Sequence, residues 1–252
     1  MLSEVAKWLS IDLHIHTGAS PCANLEMSPW NIVRMAQLEN LDLIAITDHN
    51  TAANADAVMK IGRKLGLTVL AGMEVQTQEE VHLLAVFPEL DAALAFEEFI
   101  WGHLPDVPNR PEFFGEQALY NMEDCIVGKI ERLLLQSVAL GVEDVGNSII
   151  GFGGLVIAAH INRRAYSLIS QLGFVPRGLL LHAVEVDRHY SHAKFNDEYR
   201  FLREYPVLQN SDAHELSHLV NGPKCRAYMG APCFTDLKEL LLAKDLKRIR
   251  IG

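Results

Sequence analysis

Short apolar runs, each closed by polar or small residues, alternate along the chain with stretches of helical periodicity. Residues 11–15, 41–46, 67–71, 81–87, 155–159, 179–186 and 207–208 predict strands, and 246–251 predict a closing strand. Ser28-Pro29 predicts a helix start, because serine caps well and proline fits the first helical position. Ile32, Val33, Met35, Ala36 and Leu38 give that helix its apolar side, and 52–65 form another with Val58, Ile61 and Leu65 inward, ending near Gly66. Further helices are expected over 165–172, 193–205 and 235–243. Apolar strands alternating with helices imply parallel strands covered by helices.

Between 91 and 150 the rhythm changes. A helix over 92–100, a proline-rich loop over 103–111 and a second helix over 126–140 predict a helical insertion, either a lid or a structural elaboration. Gly151-Phe152-Gly153-Gly154 precedes a strand rather than a helix and reads as a turn, not a dinucleotide fingerprint. No repeat or linker interrupts the chain, so 1–252 read as one domain.

The polar residues closing these runs carry the chemistry. His14 and His16, one residue apart in a strand, project from the same face. Two neutral imidazoles aimed at one point are half of a tetrahedral metal site. The pattern recurs at Asp48-His49, at Glu74 followed by His82, at His160, and at Asp212 and His214. Functional side chains of parallel α/β barrels gather at the C-terminal ends of strands, so residues this far apart can converge on a polynuclear centre. A carboxylate such as Glu74 can bridge two cations. Asp48 and His49 are adjacent and would point opposite ways in a strand, which leaves Asp48 to support a neighbouring group. Glu185 reads as support for the barrel mouth, and His189 and His192 as a solvated helix start.

Composition narrows the setting. The formal charge of −10 argues against gripping long duplex nucleic acid, which favours basic proteins. No run approaches 18 uninterrupted apolar residues, and 1–10 lack the core of a signal peptide. Cys22, Cys125, Cys225 and Cys233 form no C-x-x-C pair and read as reduced thiols, so a cytoplasmic protein is expected.

The set His14-x-His16, Thr47-Asp48-His49, Gly72-Met73-Glu74, His82-Leu83-Leu84, Ala159-His160 and Ser211-Asp212-Ala213-His214 resembles the PHP (polymerase and histidinol phosphatase) superfamily, over nearly the whole chain and in the same order. The resemblance implies a distorted (βα)7 TIM-like barrel with two or three divalent metal ions (zinc, manganese or iron) at its mouth. By the same resemblance, His14, His16, Glu74 and Asp212 would take one ion, His49 and His214 a second, and Glu74, His82 and His160 a third. One departure stands out. Many members carry Ser-Asp-Gly after the first histidine pair, whereas this chain has Ser20-Pro21-Cys22, and proline cannot replace the acid. Cys22 either supplies a thiolate, which would suit zinc, or is an ordinary thiol in a tight turn.

The implied activity is that of a metal-dependent phosphoesterase attacking a phosphate ester of a small metabolite or nucleotide with a metal-bound hydroxide. Neutral imidazoles with two acids and one hydroxide would leave a charge of about +3 with three ions and about +1 with two, enough to draw phosphate into an acidic protein. The expected catalytic residues are Asp48 and Arg163, the latter offering a planar fork to phosphate oxygens; Arg188 could meet the leaving group. Expected partners are a small phosphorylated substrate, nucleotide or short oligonucleotide, with neither membrane nor duplex. Alternatives are an amidohydrolase-type C–N hydrolase, for which no bridging lysine is evident, and a non-catalytic metal-stabilised module that binds nucleotide or a partner.

Overall fold

A computed structural model describes residues 5–220 and 225–251; the His192 side chain and the first four residues of the stretch read for a signal peptide lie outside the described set. The chain runs β1 (Lys7–Ile15), α1 (Pro29–Leu38), β2 (Leu43–Ile46), α2 (Ala55–Leu65), β3 (Thr68–Gln76), β4 (His82–Phe87), α3 (Leu90–Trp101), α4 (Pro111–Phe114), β5 (Ala118–Tyr120) and β6 (Ile126–Lys129). It continues through α5 (Val142–Gly151), β7 (Leu155–Ala158), α6 (Leu168–Leu172), β8 (Ala183–Val186), α7 (His192–Glu198), β9 (Val207–Gln209), α8 (Leu216–Leu219), β10 (Cys225–Met229), α9 (Phe234–Ala243) and β11 (Ile249–Arg250).

Nine strands form one sheet in the order β11-β10-β1-β2-β3-β4-β7-β8-β9. The sheet curls back on itself. The N-terminal half of β1 pairs antiparallel with β10, while its C-terminal end meets the segment after β9: the His16 amide donates to the Ala213 carbonyl at 3.0 Å, and the Leu13 amide to Asn210 Oδ1 at 2.9 Å. Strands β1, β2, β3, β4, β7, β8 and β9 therefore make a nearly closed barrel, with β10 and β11 splayed from its base.

Both faces of this sheet are apolar because both are covered. Leu9, Ile11, Leu13, Leu43, Leu70, Leu84, Ile157 and Leu208 pack together with Ala227 and Met229 of β10 and Leu237 and Leu241 of α9. Ile44, Ile46, Val69, Leu83, Val156 and Val184 belong to the second cluster, with the buried faces of α1, α2, α3 and α5. Gly72 is required where β3 meets β4, since a Cβ there would stand 2.4 Å from the Ala85 carbonyl oxygen.

A bulge re-aims β1 toward the mouth. Asp12 pairs with Ile44 and Ile15 with Ile46, so β1 spends three steps where β2 spends two. The alternation slips by one residue, which lets Leu9, Ile11 and Leu13 join one core and His14 and His16 face the same interior beyond it.

Several expectations are revised. The sheet is not all parallel: β4 runs antiparallel to both β3 and β7. The five-residue connection from Gln76 to His82 is too short for a parallel crossover. The consequence is functional, because the start of an antiparallel strand lies at the end where its parallel neighbours finish, and His82 begins β4.

The insertion is helical only in part, and the expected helix over 126–140 does not form. Ile126–Lys129 pairs with Ala118–Tyr120 as a hairpin, and the following segment is irregular. Distant partners hold its backbone instead: Gln117 Nε2 donates to the carbonyls of Ile130 and Arg132, and Asn50 Nδ2 to those of Leu134 and Gln136. Buried amide side chains thus satisfy groups that a helix would have paired internally. Ser28 does precede α1, but its hydroxyl donates to Asp124 of the hairpin, and Asp124 Oδ1 accepts the Trp30 amide at 3.0 Å. The insertion caps α1 from outside. The closing strand shrinks to Ile249–Arg250, and β10 joins the sheet where no strand was expected.

Replacing Asn210 by alanine strands the buried Leu13 amide and removes a donor to Glu185 Oε1. The expected cost is about 1–3 kcal/mol of unfolding free energy, read from the urea midpoint.

Candidate metal centre

Glu74 is the hub. Its amide donates to the Asp48 carbonyl at 3.0 Å and its carbonyl accepts the Asn50 amide at 2.9 Å, which ties this part of β3 to the segment that follows β2. Its carboxylate is 1% exposed and meets five imidazoles. Oε1 lies 2.8 Å from His82 Nδ1 and 3.1 Å from His160 Nε2. Oε2 lies 3.1 Å from His49 Nδ1 and 3.4 Å from both His14 Nε2 and His16 Nε2. Asp212 Oδ1 completes the first group, 3.1 Å from His14 Nε2 and 3.2 Å from His16 Nε2, while those two nitrogens are 3.1 Å apart.

Hydrogen bonding on the far side of each ring assigns the tautomers. His14 Nδ1 sits 3.0 and 3.1 Å from the two oxygens of Glu185, so Nδ1 carries the proton and Nε2 a lone pair. Glu185 is fixed in turn by Asn210 Nδ2 at 3.0 Å and the His160 amide at 2.9 Å. His16 Nδ1 donates to Ser20 Oγ at 2.9 Å, and Ser20 Oγ donates to Asp48 Oδ1 at 2.7 Å. His16 Nε2 is therefore a lone pair as well.

With both rings neutral, four acceptor atoms, from His14, His16, Glu74 and Asp212, thus converge with no hydrogen among them, and Asp212 Oδ1 is buried without a hydrogen-bond partner. Such a cluster is unfavourable unless a cation sits inside it. Tetrahedral ligands about 2.1 Å from an ion stand about 3.4 Å apart. The separations of 3.1–3.4 Å match that spacing.

Two more groups bring metal-ligating atoms within 4.8 Å of one another: His16, His49 and His214, and His49, Glu74 and His82. His160 approaches the last through Glu74 Oε1, and its Nδ1 is buried without a partner. Backbone strain collects here too. His160 and Asp212 occupy the left-handed region at φ 27° and 49°.

Charge follows the geometry. Burial, then the His214 imidazole, pushes His16 down to about 3. Burial would raise Glu74, but His82, His14 and His49 outweigh it and hold the carboxyl well below its usual range. Burial would lower His14, yet Glu185, Asp212 and Glu74 push it well up, a measure of how strongly this centre favours positive charge.

The sequence profile of the PHP domain matches residues 12–202. The chain belongs to the PHP domain family. The family is metal-dependent, and the buried histidine–carboxylate cluster is of a kind that can hold metal ions. An uncharacterized protein of Methanocaldococcus jannaschii is 32% identical over 101 residues, spanning 36% of this chain and 59% of that one. The crystal structure of the lesion-specific endonuclease Q of Pyrococcus furiosus superposes with a TM-score of 0.71 at 18% identity, covering 97% of this chain and 58% of that one. A complex of endonuclease Q with a 27-mer duplex carrying an abasic lesion gives the same score at 17% identity, over 94% and 57%. A Bifidobacterium adolescentis protein inferred to be a metal-dependent phosphoesterase gives 0.59 at 18% identity over 92% and 95%, and an amidohydrolase of Chromobacterium violaceum gives 0.59 at 18% over 96% and 97%. No helix among the described residues is long and apolar enough to cross a membrane.

Within this PHP barrel, all eight expected ligands gather at one mouth, and the second group gains His16 beside His49 and His214. Asp48 does not face the cluster. Its oxygens accept the Thr17 amide, the Thr17 hydroxyl and the Ser20 hydroxyl, each at 2.7 Å, so it braces the loop that orients His16. Arg163 stands at the lip, 42% exposed, with Nη1 2.5 Å from Asp212 Oδ2. Cys22 is exposed and outside every donor group. Arg188 turns to His189 and to the His218 carbonyl instead. Sequence reasoning missed Ser20, whose hydroxyl four residues after His16 was the available signal, and it did not foresee that Glu185 fixes the His14 tautomer.

Replacing Glu185 by glutamine removes the charge that holds His14 Nδ1–H, and the affinity for Mn²⁺ or Zn²⁺ is expected to fall about 10–100-fold by calorimetric titration. Metal uptake should also tighten as pH rises through neutrality, because the ion displaces the proton favoured on His14. In chelator-treated protein the same raised pKa stabilises the fold fully below the ordinary histidine value, and that stability is lost as pH climbs through the raised one. Melting temperatures measured with and without metal across pH 5–9 check the sign.

Proposed function

We propose that this PHP protein is a metal-dependent phosphoesterase acting on a small phosphorylated metabolite or nucleotide. The observation that carries the reading is the set of acceptors from His14, His16, Glu74 and Asp212, spaced to suit a cation and opening beside a half-exposed arginine. When bound, divalent ions bring the pKa of a coordinated water toward neutrality and offset charge gathering on phosphoryl oxygens.

The protein groups have distinct tasks in this reading. Glu185 and Ser20 hold the His14 and His16 rings with their lone pairs inward. Glu74 turns Oε1 toward His82 and His160 and Oε2 toward His14, His16 and His49, so it would be a ligand on either side. Asp212 serves two directions, with Oδ1 toward the first group and Oδ2 toward Arg163. Arg163 keeps one N–H on Asp212 and offers others to an incoming phosphate oxygen. Three imidazoles around the second position, with no acid from Pro21, favour zinc there over harder ions.

The C–N hydrolase reading draws less support, since no lysine that could bridge ions is among the described buried residues. The endonuclease Q likeness makes nucleic acid worth including in the test, although the chain's charge of −10 disfavours long duplex.

The test is phosphate release by metal-reloaded protein from p-nitrophenyl phosphate, nucleoside mono- and bisphosphates and short oligonucleotides, alongside an abasic duplex and cyclic amides. Small phosphoesters are expected to turn over, with His14→Ala lowering kcat/KM at least about 100-fold. Arg163→Ala is expected to raise KM about 10-fold. Turnover of cyclic amides without phosphate release would reverse the assignment.

A further inference from the structure

The loop after β7 carries a residue that neither the metal groups nor the phosphate reading uses. Tyr166 is one of few non-glycine residues at positive φ, 60°, where a bulky aromatic is costly. It is 43% exposed, so apolar burial does not explain why it is held there. Its contacts do. The Tyr166 carbonyl accepts the His82 amide at 2.9 Å, and its ring stacks on the His82 imidazole with centroids 4.7 Å apart and planes 18° from parallel. One residue thus grips His82 by backbone and by side chain. Its phenol hydroxyl bonds to no described residue.

The grip is built from both sides. Ser167, fully buried, donates its hydroxyl to the Arg163 carbonyl at 2.8 Å and caps α6 by accepting the Ser170 amide, which sets the turn that presents Tyr166. His82 needs such help. Its Nδ1 points to Glu74 Oε1 at 2.8 Å, and among the described residues the only hydrogen-bond partner facing Nε2 is Gln76 Oε1 at a long 3.4 Å. His14 has a carboxylate behind it and His16 a hydroxyl wired to one; His82 has a weak amide contact and an aromatic plate.

We infer that Tyr166 is a positioning residue that fixes the His82 ring by stacking and thereby sets the affinity of the cation position formed by His49, Glu74 and His82, leaving the position of His14, His16 and Asp212 untouched. The inference rests on the metal-centre reading above. Because the same loop carries Arg163, which holds Asp212, the chain after β7 touches the mouth at two places, and Tyr166 governs only one.

The experiment is calorimetric titration of the chelator-treated 252-residue protein with Mn²⁺, with bound metal counted by elemental analysis. Wild type is compared with Tyr166→Phe, Tyr166→Leu and Tyr166→Ala, and each variant's fold is checked by thermal melting. Stacking predicts that Phe preserves the wild-type isotherm, while Leu and Ala weaken one class of site about 10–100-fold and spare the others. Equal affinities and stoichiometry in wild type and the Leu and Ala variants would overturn the clamp alone. A Phe variant as weak as Ala would overturn stacking as its basis. Wild-type protein that takes up no metal would remove the metal-centre reading and the clamp together.

Discussion

A buried carboxylate ringed by imidazoles, with two of those imidazoles locked lone-pair-inward, is the constraint on which this molecule is arranged. Glu74 alone could be neutralised by one protonated histidine. Five rings crowd that carboxylate and a second one, Asp212, and Glu185 and Ser20 already take the Nδ1 protons of His14 and His16. Without a metal ion, a further proton, favoured on His14, has to supply the positive charge that the cluster demands. The cost of leaving such acceptors uncompensated in a water-poor interior is large enough that the surrounding fold has to enforce the arrangement.

That enforcement comes from the barrel rather than from local motifs. The bulge in β1 turns His14 and His16 to the interior, and the return of 210–213 to β1 brings Asp212 beside them. Antiparallel β4 carries His82 to the mouth by its first residue instead of its last. Positive φ at His160 and Asp212 is the local strain that this convergence demands. Glu185 then ties three parts of the ring together, since it contacts His14 of β1, Asn210 after β9 and the His160 amide after β7. The group that sets a tautomer also helps close the barrel.

The ligands were legible in the sequence because they punctuate apolar runs, and a polar side chain at a strand end is visible without knowing where the strand goes. Direction was less legible. A strand buried on both faces has the same pattern either way round, and only the short link from Gln76 to His82 marked β4 as antiparallel. The 126–140 segment misled for a different reason: Ile130, Leu133, Leu134 and Val138 have apolar spacing that a helix would also show. Gln117 and Asn50, distant in sequence, decide the outcome by occupying its carbonyls. Asp48 illustrates the remaining gap. Its adjacency to His49 suggested work at the centre, but whether an acid faces the metals or the loop behind them depends on Thr17 and Ser20, which offer it three hydrogen bonds.

The loop around Pro21 shows how a missing acid can be put to structural use. A Cβ on Gly115 would stand 2.0 Å from the Pro21 carbonyl oxygen, and Gly115 has φ 98°, so the insertion lies directly on this loop in a conformation suited to glycine. Two residues beyond Cys22, the Asn24 amide donates to the His214 carbonyl at 2.8 Å. The loop therefore links the insertion to a histidine of the second donor group instead of contributing a carboxylate to it. An ion held there by His16, His49 and His214 alone would keep its full charge, since imidazoles neutralise none of it. Such an ion would put positive charge at the rim nearest solvent, where Asp212 and Arg163 already pair, so that an anion approaching the mouth would meet that charge before it met Glu74.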